Sequence, residues 1–452
     1  MSGDATRLRA LRYWDPPLLV TGVFLTFVVA RYMQWGARRD ILATIRLEML
    51  LGVALIAACI YLVQATPIPL HRLPGAKRLI LGISLLFLAM AIQIPFAADP
   101  LLARTFFWDR VIKFAMLTLF IAVLVRSPKA MRWFLCAFLF ACFYVTLEAA
   151  RGAISGGLVW ENQGVMRLHG AVPIYAHPNS LAGVAMGVVP FVVFLFPAIR
   201  SRLVKLMILM PLGTACICLL YSGSRTGYVA FFIFLVYWWS QSRRKFRWIL
   251  IATGVSLAAY PLIPDQYVGR FKSIGGQEAE GHSKEARIVI LQDAVKIFAE
   301  NPFGVGVASF PAVRRARFGR SQDTHNLYLE VATNLGIQGF VIFVLFITWM
   351  LASLRRVMRL LENEVRLLGR RLQAVRGDPR ERRIIAARIR DMRLLHAAAQ
   401  ATAGFIWVRL ALGLFGMDLY EVYWWFAAGL AISLELVSDR SRRGHRAFFS
   451  VA

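Results

Sequence analysis

The sequence predicts an all-α polytopic membrane protein, and three observations carry that prediction. Hydrophobic residues make up 58% of the 452 residues, whereas charged residues make up only 17%. Apolar runs long enough to cross the roughly 30 Å apolar core of a bilayer recur along the chain. Short basic clusters separate many of these runs. A soluble globular domain of this size does not carry so much apolar sequence.

About twelve apolar runs approach or reach the length of a membrane-spanning helix. The first is too long for the apolar core of a signal peptide and has no small-residue cleavage site behind it, so it is interpreted as a membrane span. The runs begin near Pro17, Leu47, Leu79, Val111, Trp133, Pro178, Leu203, Thr226, Trp248, Val331, Ala397 and Tyr420.

The net charge of +28 is distributed as a topology signal. The basic clusters fall on every second connection instead of along one amphipathic face, which argues against nucleic acid as a partner. This alternation predicts a multi-pass protein with both termini in the cytoplasm. Arg31, Arg38 and Arg39 fall on the opposite side and conflict with the pattern at the first helical hairpin.

Two long connections divide the predicted bundle. One is expected on the periplasmic side before helix 10, and the other is an arginine-rich cytoplasmic segment before helix 11. The predicted division is residues 1–263 for helices 1–9, 264–324 for a periplasmic loop domain, 325–354 for helix 10, 355–396 for a basic helical hairpin, 397–437 for helices 11 and 12, and 438–452 for a cytoplasmic tail.

Each long connection contains helical periodicity. In the loop domain, a turn at Gly275-Gly276 precedes an amphipathic segment from Ser283 to Phe298, whose apolar face is predicted to be Ile288, Leu291, Val295 and Phe298. The hairpin is interrupted at Gly377-Asp378-Pro379. Its basic helices either lie on anionic lipid headgroups or present a solvated face that only sets topology.

Two arginines expected on the periplasmic side are candidates for binding a dianionic ligand. Arg225 stands in SGSRTG at the start of helix 8, and Arg287 stands in SKEAR in the first turns of the loop helix. Two guanidinium groups can grip phosphate oxygens bidentately without a metal, which favours a diphosphate. The alternative for either arginine alone is a contact with lipid headgroups.

His325, at the start of helix 10, is the candidate proton acceptor. A helix N-terminus and nearby arginines disfavour the imidazolium, and a neutral imidazole can accept a proton. Alternatively His325 caps the helix or is a core histidine, and Asp323 either raises the pKa of His325 or caps the helix itself. Asn326, His177 and Asn179 are candidate cavity-lining residues.

No motif indicates a metal or a nucleotide cofactor. The acidic residues of the loop have no DxD spacing or ligand-like grouping, so metal dependence is not expected. The chain also has no GxSxG elbow, Walker loop or dinucleotide fingerprint.

Together these motifs resemble the O-antigen ligase family, within the wider class of O-antigen ligases, O-antigen polymerases and protein O-oligosaccharyltransferases. The family pattern of His-[Asn/Ser/Gln], nine residues, Gly, two residues and [Gly/Thr/Tyr] is met by His325, Asn326, Gly336 and Gly339. SGSRTG resembles the family's arginine motif before helix 8. SKEAR with the later NPFGVG resembles its arginine-bearing loop helix and turn.

The resemblance implies an enzyme of the bacterial inner membrane without a cofactor. It would transfer a glycan from undecaprenyl diphosphate to lipid A-core oligosaccharide at the periplasmic face, by a metal-independent and inverting reaction. Arg225 and Arg287 would hold the diphosphate, and His325 would act as general base. Gly336 and Gly339 are expected to let helix 10 pack closely against a neighbour.

Other functions fit the same pattern. An O-antigen polymerase or a protein O-oligosaccharyltransferase would use the same donor with a different acceptor. A lipid or solute transporter would need ionisable residues near mid-membrane, and the exceptions to the peripheral placement of charge are Glu148 and Asp109, each near a span end.

Overall fold

The computed structural model describes residues 13–162, 165–242, 245–246, 250, 253–254, 267–269, 283–375 and 378–450. The α-helices are α1 (Leu18–Met33), α2 (Trp35–Arg38), α3 (Asp40–Thr44), α4 (Leu47–Ala65), α5 (Pro74–Gln93), α6 (Pro100–Phe106), α7 (Lys113–Leu124), α8 (Pro128–Ser155), α9 (Pro178–Leu195), α10 (Arg202–Tyr221), α11 (Arg225–Gln241), α12 (Ser283–Glu300), α13 (Phe310–Phe318), α14 (Leu327–Ala374), α15 (Pro379–Leu412) and α16 (Val422–Ser450).

The all-α fold class is confirmed, with one small addition. Strands β1 (Val159–Asn162) and β2 (Val165–Leu168) form an antiparallel hairpin between α8 and α9. The remaining short elements are 3₁₀ turns and a π-helical stretch, at Leu70–Arg72, Pro173–Tyr175, Phe196–Ala198 and Phe107–Ile112.

Several helices have the length and composition of membrane spans. In the described part of the chain, six helices qualify, and α1 is a shorter apolar helix. Each expected span coincides with or adjoins a helix, except the ninth, expected from Trp248, which lies mainly outside the described residues. The Gly275-Gly276 turn also lies outside them. The protein is therefore a multi-pass membrane protein, and the exact number of spans stays a prediction.

Aromatic rings hold the centre of the bundle together. Phe426 of α16 is fully buried and contacts rings from four other helices, α1, α8, α9 and α15. Its ring centroid lies 4.7 Å from that of Phe138, 5.9 Å from that of Phe191 and 5.3 Å from that of Phe405. Because lipid tails are as apolar as these side chains, van der Waals packing of this kind holds membrane helices together.

Two of the three arginines that conflict with the charge alternation, Arg31 and Arg38, have acidic partners. Arg38 donates two hydrogen bonds to the carboxylate of Glu148, at 2.5 and 2.7 Å, and a third to the carbonyl of Met33. Arg31 lies 3.3 Å from Glu48. These cations are neutralised locally, so they join helices instead of acting as topology signals.

The basic connection forms a helical pair, as expected. Helix α14 continues through the predicted boundary at residues 354 and 355, and α15 returns after Asp378, whose carboxylate accepts a hydrogen bond from the backbone N–H of Arg380 at 2.8 Å. Gly377 lies outside the described residues. Both helices of the pair carry buried apolar residues at helical spacing, namely Leu361, Leu368, Ile385, Ile389 and Met392. The division into domains stays a prediction.

Helix α14 is broken at Gly336, where φ is +71° and ψ is −174°. The break frees backbone groups that a neighbouring turn then satisfies. The carbonyl of Thr333 accepts a hydrogen bond from the N–H of Val305 at 2.8 Å. Likewise, the N–H of Ile337 donates to the carbonyl of Pro302 at 2.9 Å. The Pro302–Gly306 turn thus replaces the helical hydrogen bonds that α14 gives up.

The roles of the two motif glycines differ from the expectation that both allow close packing of helix 10 against a neighbour. A Cβ on Gly336 would overlap the backbone of Phe303, and only glycine adopts this φ/ψ combination at little cost. A Cβ on Gly339 would overlap the side chain of Leu335 in the same helix. Gly336 therefore allows both the break in α14 and the close approach of the turn. Gly339 leaves space for the side chain of Leu335 beside the break.

We expect Gly336→Ala to lower the apparent Tm of the purified protein in detergent. The strained backbone alone costs about 1–3 kcal/mol, and the overlap with Phe303 adds to it. Gly369→Ala in the same helix is the matched control, because its Cβ would meet no atom within 4 Å. That control should leave stability unchanged or raise it by roughly 0.5–1 kcal/mol. Equal stability of the two variants would contradict this account of Gly336.

Candidate active site

The loop unit, formed by α12, the turn after it and α13, has its own small core. Helix α12 confirms the expected helix, but its buried face is different. Ile290, Ala294 and Ile297 pack with Val305 and Phe310. The predicted face was wrong, since three of its four residues are exposed, namely Ile288, Leu291 and Val295.

A buried ion pair explains this rotation of α12. Asp293 lies on the buried face, and its carboxylate accepts a hydrogen bond at 2.9 Å from the Nε of Arg314, whose side chain is 1% exposed. A second nitrogen of Arg314 donates to the side-chain oxygen of Gln322 at 2.6 Å. The charge of Asp293 is tolerated in the core of the loop unit because its partner, Arg314, is buried beside it. Arg314 thereby joins α12, α13 and the segment leading to His325.

His325 occupies a left-handed backbone conformation, with φ of +47°. Its neighbours on both sides are fixed. Thr324 is buried, and its hydroxyl donates to the carbonyl of Asn326 at 3.1 Å. The N–H of Leu327 donates to the carbonyl of Gly413 at 2.7 Å. A non-glycine residue is held in this region only when its surroundings determine it, and such residues cluster at functional sites.

The cap of α14 is Asn326, and neither Asp323 nor His325 fills that role. The Asn326 side chain accepts a hydrogen bond from the N–H of Leu329 at 3.0 Å and donates to the carbonyl of Leu414 at 3.1 Å. Its amide is therefore committed to the backbone at both ends, while the His325 ring is left for other contacts.

Arg287 and His325 line one open cavity of about 310 Å³. Two further arginines, Arg314 and Arg320, share it. Arg287 is half-buried, whereas His325 is exposed, although the surrounding protein still displaces part of its hydration. The described lining residues are Ala286, Arg287, Val289, Ile290, Arg314, Arg320, Gln322 and His325. The cavity thus combines an imidazole with a concentration of positive charge.

The surroundings of His325 favour the neutral imidazole. Burial is the main cause that lowers the pKa of His325 below its usual value, and the positive charges of Arg287 and Arg314 lower it further. Asp323 acts in the opposite direction, but its effect is smaller than those of burial and Arg287. Burial also raises the pKa of the Asp323 carboxyl. At neutral pH the His325 ring is therefore available to accept a proton.

Arg225 is outside the described lining of this cavity. It is half-buried at the start of α11, where the hydroxyl of Ser224 accepts a hydrogen bond from the N–H of Gly227 at 3.2 Å. Arg167 of β2 connects the segment before α11 to the start of α9. It donates to the carbonyl of Ser222 at 2.8 Å and to the side chain of Asn179 at 2.9 Å.

His177 and Asn179 lie at the start of α9, outside the described lining of the cavity. The Nδ1 of His177 accepts a hydrogen bond from the N–H of Asn179 at 3.1 Å, so His177 caps this helix. Burial lowers the pKa of His177 most, and Arg167, His325 and Arg287 lower it further. His177 is thus close enough to share the electrostatic environment of the cavity, while Asn179 is occupied by Arg167.

The sequence interpretation missed Arg314, Arg320 and Arg167. Arg314 had a detectable signal, because it stands four residues after Phe310 and four before Phe318, on the apolar stripe of α13. Arg167 lies in a strand that was not predicted. Within the described residues, no group of three or more His, Cys, Asp or Glu side chains could hold a metal ion.

We expect Asp293→Ala to loosen the loop unit far more than Glu300→Ala. Each change removes the acidic partner of an α13 arginine, but Asp293 pairs with buried Arg314 and Glu300 with exposed Arg317. The first should cost about 3–5 kcal/mol and the second about 0–1 kcal/mol. Hydrogen–deuterium exchange of the α13 peptides measures both. Similar protection in the two variants would contradict a structural role for the buried pair.

We expect the pKa of His325, followed by NMR of labelled protein, to lie below 6.5. Removing a nearby positive charge favours the imidazolium, so Arg287→Gln should raise this pKa. Removing a nearby negative charge does the opposite, so Asp323→Asn should lower it. Shifts of the same sign in both variants would show that at least one of the two residues does not act on His325 through its charge.

Comparison with known proteins connects this site to one family. No curated protein matches the chain. Residues 210–344 match the family model Wzy_C, which is described as O-antigen ligase. The matched segment contains Arg225, Arg287, Arg314 and His325. The chain is therefore similar to the O-antigen ligase class through the segment that carries its candidate site, which confirms the resemblance drawn from its motifs.

Proposed function

We propose that this membrane protein is an O-antigen ligase. It would transfer a polysaccharide from undecaprenyl diphosphate to lipid A-core oligosaccharide at the periplasmic face of the bacterial inner membrane. The family match supports the broader activity, an O-antigen ligase or polymerase type of glycosyltransferase that acts on lipid-linked glycans. The observation that carries the finer proposal is the shared cavity of Arg287 and His325.

The positive charge of the cavity suits a diphosphate donor. Arg287, Arg314 and Arg320 line it, and the buried carboxylate of Asp293 lies 2.9 Å from Arg314 and 4.0 Å from Arg320. Guanidinium groups bind phosphate oxygens bidentately and need no metal for that contact. We propose that Arg287 binds the diphosphate in this cavity and that Arg225 approaches it from the start of α11.

The proposed reaction is one displacement at the anomeric carbon. An acceptor hydroxyl oxygen forms the new bond to that carbon, and His325 takes the hydroxyl proton. The bond between the anomeric carbon and the donor phosphate oxygen breaks, and its electron pair leaves with undecaprenyl diphosphate. Arg225 and Arg287 stabilise the negative charge that grows on this leaving group. Attack from the opposite face inverts the anomeric configuration.

The proposed orientation places His325 in the periplasm and both termini in the cytoplasm. The helical rise of about 1.5 Å per residue separates Asn326 from Arg355 by roughly 40 Å, more than the apolar thickness of a bilayer of about 30 Å. The arginine-rich end of α14 therefore emerges on the other side from His325. The preference of basic residues for the cytoplasm supports a cytoplasmic location for this arginine-rich end.

The other donor-dependent activities differ in the acceptor. An O-antigen polymerase would extend a second lipid-linked glycan, and a protein O-oligosaccharyltransferase would modify a protein. The two acidic residues named as exceptions to the peripheral placement of charge have basic partners, since Glu148 binds Arg38 and Asp109 lies 2.5 Å from Lys113. These contacts favour structural roles for both acidic residues.

The test is a transfer assay with purified protein and a glycan on undecaprenyl diphosphate. Three acceptors are offered separately: lipid A-core, a second lipid-linked glycan and a pilin-like protein. We expect modification of lipid A-core, and activity should persist in EDTA. Modification of a different acceptor would assign that activity instead, and strong inhibition by EDTA would contradict the metal-independent mechanism.

In the same assay, His325→Ala should reduce turnover by roughly 10²- to 10⁴-fold, because the general base is lost. Arg287→Ala and Arg225→Ala should weaken donor use by roughly 10- to 100-fold. His71→Ala is the control, since His71 is an exposed histidine distant in sequence from the site. Binding of the donor by His325→Ala should persist. Near-normal turnover of that variant would refute the assignment of the base.

A further inference from the structure

A second large groove lies at the arginine-rich end of the bundle, away from His325. Its volume is about 700 Å³, and three helices contribute to it. Helices α11 and α14 each pack against α15, which forms the floor between them. The hydroxyl of Tyr237 in α11 donates to the carbonyl of Gln400 in α15 at 3.2 Å and closes one side.

The groove changes from apolar to polar along its length, and each helix shows the change independently. In α14, Leu351 is followed one turn later by Arg355 and then by Arg359. In α11, Ile233 and Val236 precede Ser240 and Gln241. In α15, which runs the other way, His396 and Gln400 precede Ala403 and Trp407. On all three helices, the apolar lining residues named here lie closer to the middle of the bundle than the polar ones do.

The polar end of the groove is basic. Arg355 and Arg359 are exposed and stand four residues apart, so they lie on one face of α14. Among the described lining residues, Glu362 is the single acidic one, and it lies 2.8 Å from Arg366, which is outside that lining. The groove therefore presents two guanidinium groups at its mouth above an apolar channel.

We propose that this groove binds one anionic phospholipid of the cytoplasmic leaflet. The headgroup phosphate would lie between Arg355 and Arg359, and an acyl chain would follow the apolar channel past Val236 and Leu351. An amphipathic, negatively charged lipid matches both the polarity gradient and the charge, and basic pockets between helices on the cytoplasmic side bind such headgroups. This site is separate from the proposed glycan transfer and does not depend on it.

The test is native mass spectrometry of the full-length protein with phosphatidylglycerol or phosphatidylcholine of identical acyl chains. The wild type should bind phosphatidylglycerol more tightly. Arg355→Gln with Arg359→Gln should weaken phosphatidylglycerol binding by roughly 10- to 30-fold and leave phosphatidylcholine binding unchanged. Val236→Trp should block the apolar channel and weaken the binding of both lipids.

The matched control is Arg380→Gln with Arg383→Gln, which removes the same charge from exposed positions outside the described lining. It should bind phosphatidylglycerol as the wild type does. An equal loss in this control, equal wild-type affinity for the two lipids, or displacement of the lipid by soluble glycerol phosphate would each overturn the proposal. Thermal unfolding of every variant verifies that a lost affinity does not reflect a lost fold.

Discussion

The backbone pairing between the Pro302–Gly306 turn and the break in α14 is the constraint on which the candidate site depends. Unsatisfied backbone groups cost several kcal/mol each in an apolar environment, so α14 can break at Gly336 only where another segment supplies hydrogen bonds. The turn supplies them and is held in place by Gln93 and Gln338, whose side chains donate to the carbonyl of Phe303. The turn directly follows α12, and the loop unit that carries Arg287 is thereby anchored to the helix that follows His325.

A second, electrostatic constraint orients the loop unit on that anchor. Burying Arg314 is costly unless an acidic group and further hydrogen bonds accompany it, and Asp293 and Gln322 meet that need. The rotation of α12 that brings Asp293 inward also brings Arg287 to the cavity. The backbone hydrogen bonds of the turn thus hold the loop unit against the bundle. The buried ion pair determines which side of α12 faces His325.

The sequence predicts those parts of the protein that depend on interactions within one segment of the chain. Apolar runs identify the spans, and the run expected from Leu47 begins where α4 begins, because hydrophobic length is a property of one segment. The buried face of α12 was mispredicted because both sides of the helix are apolar, and the choice depends on Arg314 in another helix. The break at Gly336 likewise follows from hydrogen bonds supplied by a distant turn. For the candidate site, the motifs predict that Arg225, Arg287 and His325 converge on one cavity. Arg287 and His325 line the same cavity, whereas Arg225 is outside its described lining.

In the proposed reaction, the arginines of the cavity would act directly on the diphosphate donor and, through His325, on the acceptor. In the absence of donor, their positive charge favours the neutral form of His325 and leaves it a weak base. A bound diphosphate brings negative charge that offsets the arginines, so the affinity of His325 for a proton should increase when the donor occupies the cavity. The base would become stronger as the anomeric carbon becomes available for attack. Donor binding would then prepare proton transfer through electrostatics alone, without a change in the position of the histidine.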